Sequence, residues 1–126
     1  MGARPRILVV DDEPSVLITY SAILEQQGYA VTALKTAQEA RAALDSGSYD
    51  LLLCDLSLER NQSGFDVIDH ARRNDGTLRA ILLTGYATQE ISNQAASKGV
   101  EVLFKPVRVE ELLATVARLV RDKKAS

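Results

Sequence analysis

The sequence predicts an α/β sandwich built on a parallel sheet. Three observations carry that expectation. Short, wholly apolar runs recur at Ile7-Leu8-Val9-Val10, Leu51-Leu52-Leu53-Cys54 and Ala80-Ile81-Leu82-Leu83, as strands covered on both faces require. Stretches with apolar residues at helical spacing separate these runs. Finally, the 126 residues hold five strand–helix units within the length of one domain. Parallel neighbours need right-handed crossovers, so helices are expected on both faces of the sheet.

The first strand, Ile7 to Val10, ends at Asp11-Asp12-Glu13-Pro14. Pro14 suits a first helical turn, where its missing N–H costs nothing, and Asp12 is the expected cap. Val16, Leu17, Tyr20, Ile23 and Leu24 then recur at helical spacing, and Gly28 stops the helix. Ala30 to Leu34 alternates weakly and reads as a second strand. Thr36 to Leu44 is Ala-rich and helical, and Gly47 breaks it. Leu51 to Cys54 is the third strand, closed by Asp55. Phe65, Ile68 and Ala71 mark a third helix, ending near Asn74-Asp75-Gly76. Ala80 to Leu83 is the fourth strand, closed by Thr84 and Gly85. Gln89 to Lys98 reads as a polar helix stopped by Gly99. Val100 to Phe104 is the last strand, ended by Lys105-Pro106. Leu112, Leu113, Val116, Leu119 and Val120 form the apolar face of a final helix. Its Glu110 and Glu111 lie near the positive dipole end, and Arg118 and Arg121 near the negative end.

Composition narrows the function. Apolar residues make up 46% and charged residues 25%, which argues against disorder. A net charge of −2 without a basic stripe disfavours binding to nucleic-acid phosphates. One cysteine and one histidine exclude a disulfide framework and a structural zinc site. No apolar run reaches the length of a membrane span, and the basic start at Met1 to Arg6 is too short in its apolar part for a signal peptide. A cytoplasmic protein is expected. No glycine-rich nucleotide motif is present.

The ligand site of an open parallel sheet lies at the carboxyl ends of its strands. Asp11 and Asp12 follow the first strand, Asp55 the third, Thr84 the fourth and Lys105 the fifth. Taken singly, each reads as a cap, a turn residue or a loop charge. Jointly they bring carboxylates to one edge, where their repulsion calls for a hard cation such as Mg2+ with oxygen ligands. Lys105 supplies a second positive charge. Such a set can accept a phosphoryl group on a carboxylate: Asp55 as nucleophile, Lys105 and the Thr84 hydroxyl on the phosphoryl oxygens, and no general base needed.

Arg6 to Pro14, Asp50 to Leu56, Leu83-Thr84-Gly85-Tyr86-Ala87 and Lys105-Pro106 together resemble the receiver domain of two-component response regulators. The resemblance spans essentially the whole chain. It implies a flavodoxin-like doubly wound fold, a five-stranded parallel sheet in the order 2-1-3-4-5 with five helices. It implies Asp55 as phosphoacceptor, Asp12 as a direct Mg2+ ligand and Asp11 as one acting mainly through water. The backbone carbonyl of Ser57 is the implied third protein ligand, with Thr84 and Lys105 as the switch hydroxyl and the phosphate-binding lysine. A sensor histidine kinase or phosphotransfer protein is the implied donor, and a downstream protein the reader. Residues 1–126 are expected to form one receiver domain without an output domain, a binding regulator rather than an enzyme. The last two strand–helix units are the expected surface for any homodimer.

Several positions depart from the family pattern. Val102 stands where an aromatic switch residue is usual, three before the lysine. Phe104 is adjacent to the lysine instead and is expected on the other face of a regular strand. The stretch from Gly99 to Lys105 is one residue shorter than usual. The loop from Ser57 to Gly64 is polar, slightly long and lacks the familiar proline. Arg108 replaces the acidic cap of the last helix, predicting a weaker start there. Cys54 reads as a small buried hydrophobe and His70 as a surface residue. Tyr86, two residues past Thr84, reads equally as partly buried or as tuning water access to an acyl phosphate. Lys123-Lys124 reads as a solvated tail.

Two rival functions fit less well. A docking module working without phosphate would explain Val102 but not the complete acidic set. A phosphohydrolase would need an acid two residues past the nucleophile, where Ser57 stands.

Overall fold

The computed structural model of the protein describes residues 4–86 and 88–125; Ala87 and the side chains of the Lys123-Lys124 tail lie outside the described residues. In chain order the elements are β1 (Arg6–Val10), α1 (Pro14–Gln26), β2 (Ala30–Leu34), α2 (Ala37–Ser46) and β3 (Leu51–Asp55). A small hairpin follows, β4 (Ser57–Leu58) and β5 (Gln62–Ser63), joined by a single 3-10 turn at Glu59–Asn61. Then come α3 (Gly64–Asn74), β6 (Arg79–Thr84), α4 (Gln89–Lys98), β7 (Glu101–Phe104) and α5 (Val109–Ala125).

The main sheet has the order β2-β1-β3-β6-β7, and every pairing in it is parallel. This is the expected 2-1-3-4-5 arrangement, counted without the hairpin strands. Side-chain alternation divides the core in two. Ile7, Val9, Leu51, Leu53, Ile81, Leu83 and Leu103 pack under Leu17 and Leu24 of α1 and Leu112, Val116 and Leu119 of α5. Leu8, Val10, Leu52, Cys54, Ala80 and Leu82 pack under α2, α3 and Ala95 of α4. β1 from Ile7 onward and the whole of β3 are buried, which is why their sequences are continuous apolar runs.

Helix boundaries follow local chemistry. Thr36 caps α2 by accepting the Glu39 N–H at 3.1 Å, and the Glu39 carboxylate reaches back to the Lys35 N–H. The carboxylate thus reaches one residue before the Thr36 cap, a variant of the capping box. Thr88 caps α4 by accepting the Ile91 N–H and Ser63 caps α3 by accepting the Phe65 N–H, each worth about 1 kcal/mol. Gly28 and Gly99 end their helices at φ +93° and +64°, a left-handed region that favours glycine.

Four details correct the sequence reading. The cap of α1 is Glu13, without a side-chain bond, and not Asp12; the Asp11 carboxylate instead accepts the Glu13 N–H at 2.9 Å. The hairpin was not foreseen, and its turn places Arg60 and Asn61 at φ +61° and +57°. Phe104 shares the alternation of Val102 rather than opposing it. Leu103 between them belongs to the α1/α5 side, Val102 packs on the α2–α4 side, and Phe104 is 42% exposed. His70 is half-buried on α3, its Nε2 2.8 Å from Asp45 of α2, rather than a plain surface residue. The last helix starts at Val109; the carbonyl of the preceding Arg108 accepts the Leu112 N–H at 2.9 Å, and the Arg108 side chain has no acceptor to offer a cap. Among the described residues no helix is long and apolar enough to cross a membrane.

Candidate functional site

Strand register builds the site. Val10 pairs with Cys54, so the next residues, Asp11 and Asp55, stand at the same level, Asp11 just past β1 and Asp55 as the last residue of β3. Both fall on the α1/α5 side by alternation, as does Lys105, two residues past Leu103. Asp12 lies one residue further in the loop before α1. The carboxylates of Asp11, Asp12 and Asp55 offer oxygens that all lie within 4.8 Å of one another. Asp11 is fully buried and Asp55 is 9% exposed.

Lys105 closes the pocket. Its Nζ stands 3.2 Å from Asp55 Oδ2 and 3.4 Å from Asp11 Oδ2. Its backbone N–H donates to the Thr84 carbonyl at 2.8 Å, which fixes the start of the side chain beside β6. Burial pushes the Asp55 carboxyl above its ordinary value, and Asp11 adds to that; Lys105 and the Ser57 N–H oppose it. For Lys105 burial acts downward, but Asp11 and Asp55 outweigh it and the ammonium is held above its ordinary value. Two carboxylates at this separation repel by roughly 3–4 kcal/mol at an effective dielectric of about 20. One ammonium cannot balance three carboxylates, so the pocket retains negative charge. Its donors are all hard oxygens, which fit Mg2+ better than a soft metal.

The remaining expected residues stand around this pocket. Ser57 is exposed in β4, with its N–H 3.4 Å from Asp55 Oδ1. Thr84 is buried at the end of β6, and its hydroxyl is turned to the loop: it accepts the Tyr86 N–H at 3.0 Å. Tyr86 is 67% exposed, so the partly buried reading of its ring does not hold. Cys54 is fully buried, and burial, with Asp55 and Asp11 adding, pushes its thiol far up, as befits a core residue. A cleft of about 470 Å³ between the start of α2 and the hairpin has none of the three carboxylates in its lining. A small ion held by three carboxylates needs no such enclosed space, so the oxygen geometry marks the site better than the volume does.

Two contributors were missed in the sequence. Gly64 opens α3 where a Cβ would come within 2.4 Å of the Asp55 carbonyl oxygen. Only glycine lets the helix start this close behind β3, and a glycine following the Ser63 cap was the available signal. Tyr20 of α1 was read only as core. Its phenol is pushed up mainly by burial; Lys105 pulls it down, and Asp11 and Asp55 push it further. Nothing in its spacing distinguishes it from Leu17 or Leu24.

Comparisons with known proteins converge. The family model of the response regulator receiver domain matches residues 7–117. The chain is 32% identical over 114 residues to the alginate biosynthesis transcriptional regulatory protein AlgB of Pseudomonas aeruginosa, covering 90% of this chain but 25% of that protein. It is 36% identical over 117 residues to a 14.6 kDa protein of Leptolyngbya boryana, covering 90% of this chain and 88% of that one. A CheY-like response regulator receiver domain protein of Methanospirillum hungatei superposes with a TM-score of 0.91 at 29% identity, over 97% of this chain and 98% of that chain. The chain thus spans about a quarter of AlgB and most of the two small proteins.

Proposed function

Since the chain belongs to the response regulator receiver domain family, we propose that it accepts a phosphoryl group on Asp55 in a two-component relay. The observation that carries this is the meeting of Asp11, Asp12 and Asp55 within 4.8 Å, with Lys105 bonded to two of them. The donor is a phosphohistidine of a sensor kinase or phosphotransfer protein. Its P–N bond breaks, a bond forms from phosphorus to an Asp55 carboxylate oxygen, and the imidazole nitrogen keeps the electron pair. A carboxylate needs no base to be nucleophilic.

Asp11, Asp12, Asp55 and the Ser57 backbone carbonyl would hold Mg2+, which when bound neutralises charge on the carboxylates and the phosphoryl oxygens. Lys105 already stands at hydrogen-bond distance from Asp55 and binds a phosphoryl oxygen there. Thr84 must give up its bond from the Tyr86 N–H to turn its hydroxyl to the phosphoryl group. That exchange links the acceptor to the loop before α4. We read residues 1–126 as a single receiver unit that acts as a stoichiometric switch in the cytoplasm. Its reader is a downstream protein, or a second copy meeting the β6–α4 and β7–α5 units. AlgB is a transcriptional regulatory protein; any such output for this chain would lie in another domain or a partner.

Incubation with acetyl phosphate and Mg2+, followed by intact-mass measurement, tests the reading. One phosphoryl increment is expected on the wild type and none on Asp55→Asn. An unmodified wild type, or an equally modified variant, overturns it.

A further inference from the structure

The helix that follows the switch loop is attached mainly at one end. In α4 only Ala95 is buried, with Ile91 half-buried against the core. Its C-terminal end, by contrast, is bound to α3 by polar groups. The Arg72 guanidinium donates through Nη1 to the Lys98 carbonyl, through Nη2 to the Gly99 carbonyl at 3.1 Å and through Nε to the Leu78 carbonyl at 3.3 Å. Lys98 Nζ meets both oxygens of Asp69 at 3.0 and 3.1 Å. Its ammonium also lies 6.0 Å from the centre of the Phe65 ring. Gly99 then turns left-handed, and the Val100 N–H returns to the Ala95 carbonyl while the Val100 side chain is buried.

The Lys98 and Gly99 carbonyls stand at a helix end, where carbonyls lack partners within the helix. Charged donors on such carbonyls are among the stronger hydrogen bonds. Among the described residues the N-terminal end is held by the Thr88 cap and the half-buried Ile91, and it starts shortly after Tyr86, whose N–H donates to the Thr84 hydroxyl.

We infer that α4 is a lever pinned at its C-terminus by Arg72, Asp69 and Lys98, so that movement of Thr84 swings its N-terminal end while the far end stays in place. The pin is a property of the resting protein. Only the force that moves the lever rests on the phosphoacceptor reading of Asp55. The pin replaces apolar burial with a directional polar contact, which fixes a position yet leaves the rest of the helix free to tilt.

Amide hydrogen exchange on the full chain tests this without phosphate. In the wild type, Ala96, Ser97 and Lys98 should exchange about tenfold more slowly than Ser92 and Asn93. Arg72→Met should erase that contrast while Leu52 and Ile81 keep their protection. Equal exchange at both ends of the wild-type helix, or an unchanged contrast in the variant, overturns the inference. Should Arg72→Met fail to fold, Lys98→Met must reduce the contrast, and no reduction overturns it equally. A second arm adds beryllofluoride and Mg2+ and follows amide resonances. Shifts should be largest from Thr88 to Ile91 and fade before Ser97; uniform shifts along α4 overturn the lever. A wild type silent at Thr84 and Lys105 overturns the phosphoacceptor reading instead, and the pin is then judged by exchange.

Discussion

At the carboxyl edge of the sheet, three carboxylates gather and one ammonium group meets two of them. In the seam between α3 and α4, one carboxylate meets one ammonium, and a guanidinium ends on three carbonyls. Both clusters join distant segments, and both are part-buried. The first is short of positive charge and holds the Asp55 carboxyl above its ordinary value; the second is satisfied group by group. Buried polar groups in excess of their partners destabilise a fold unless a ligand completes them, whereas matched ones only fasten it. The imbalance therefore separates a cluster that could take up a cation from a structural clasp.

Substitutions should act in opposite senses at the two places. The largest effect of any substitution is expected in the seam: Arg72→Met leaves three carbonyls without their donors and should lower unfolding free energy by about 2 kcal/mol, read by urea denaturation. Stability equal to the wild type would make the seam ornamental. At the edge, Mg2+ should raise the melting temperature of the wild type in a concentration-dependent way, reaching about 2–3 kcal/mol at a hundredfold excess over its dissociation constant. Asp12→Asn should blunt that rise, and Arg72→Met should leave it intact.

Without metal, Asp55→Asn should stabilise the protein by about 1 kcal/mol near neutral pH, because it removes a carboxylate that burial and Asp11 disfavour. The sign can be followed with pH. The folded-state value of Asp55 is raised, so the folded protein holds that proton more tightly than the unfolded chain does. Its contribution favours folding in acid and is lost as pH rises from the unfolded carboxylate value through the raised one. The stability gap between variant and wild type should therefore open over that range. Lys105 behaves the other way at high pH: its stabilisation is present below the unfolded lysine value and lost as pH climbs through the raised one. The smallest effect is expected at the exposed Arg118–Glu101 pair, 2.9 Å apart between α5 and β7. Glu101→Gln should change stability by less than about 0.5 kcal/mol, a baseline against which the seam is judged.

Much of this was legible residue by residue. β1, β3 and β6 were visible because burial on both faces leaves no polar position in their runs. The bounds of α4, Gln89 to Lys98, were readable because Thr88 and Gly99 mark them chemically. The β4–β5 hairpin was not, since two-residue strands carry no periodicity and its turn is made by Arg60 and Asn61 rather than glycine. The cap of α1 was misassigned because adjacent aspartates are equivalent in sequence; the loop's conformation decides which one turns to the backbone. The side of the strand on which Phe104 lies was misjudged, although the two-residue alternation with Val102 was available.

By itself the sequence determined which residues reach the ends of the strands, because apolar runs must be buried and the charges that close them must leave the sheet. Tertiary structure alone decided that Asp11, Asp55 and Lys105 share one side of that edge, that Gly64 lets α3 begin against β3, and that Arg72 finds the end of α4. Those outcomes depend on strand register and helix packing between segments far apart in the chain, and distance along a sequence carries no record of distance in space.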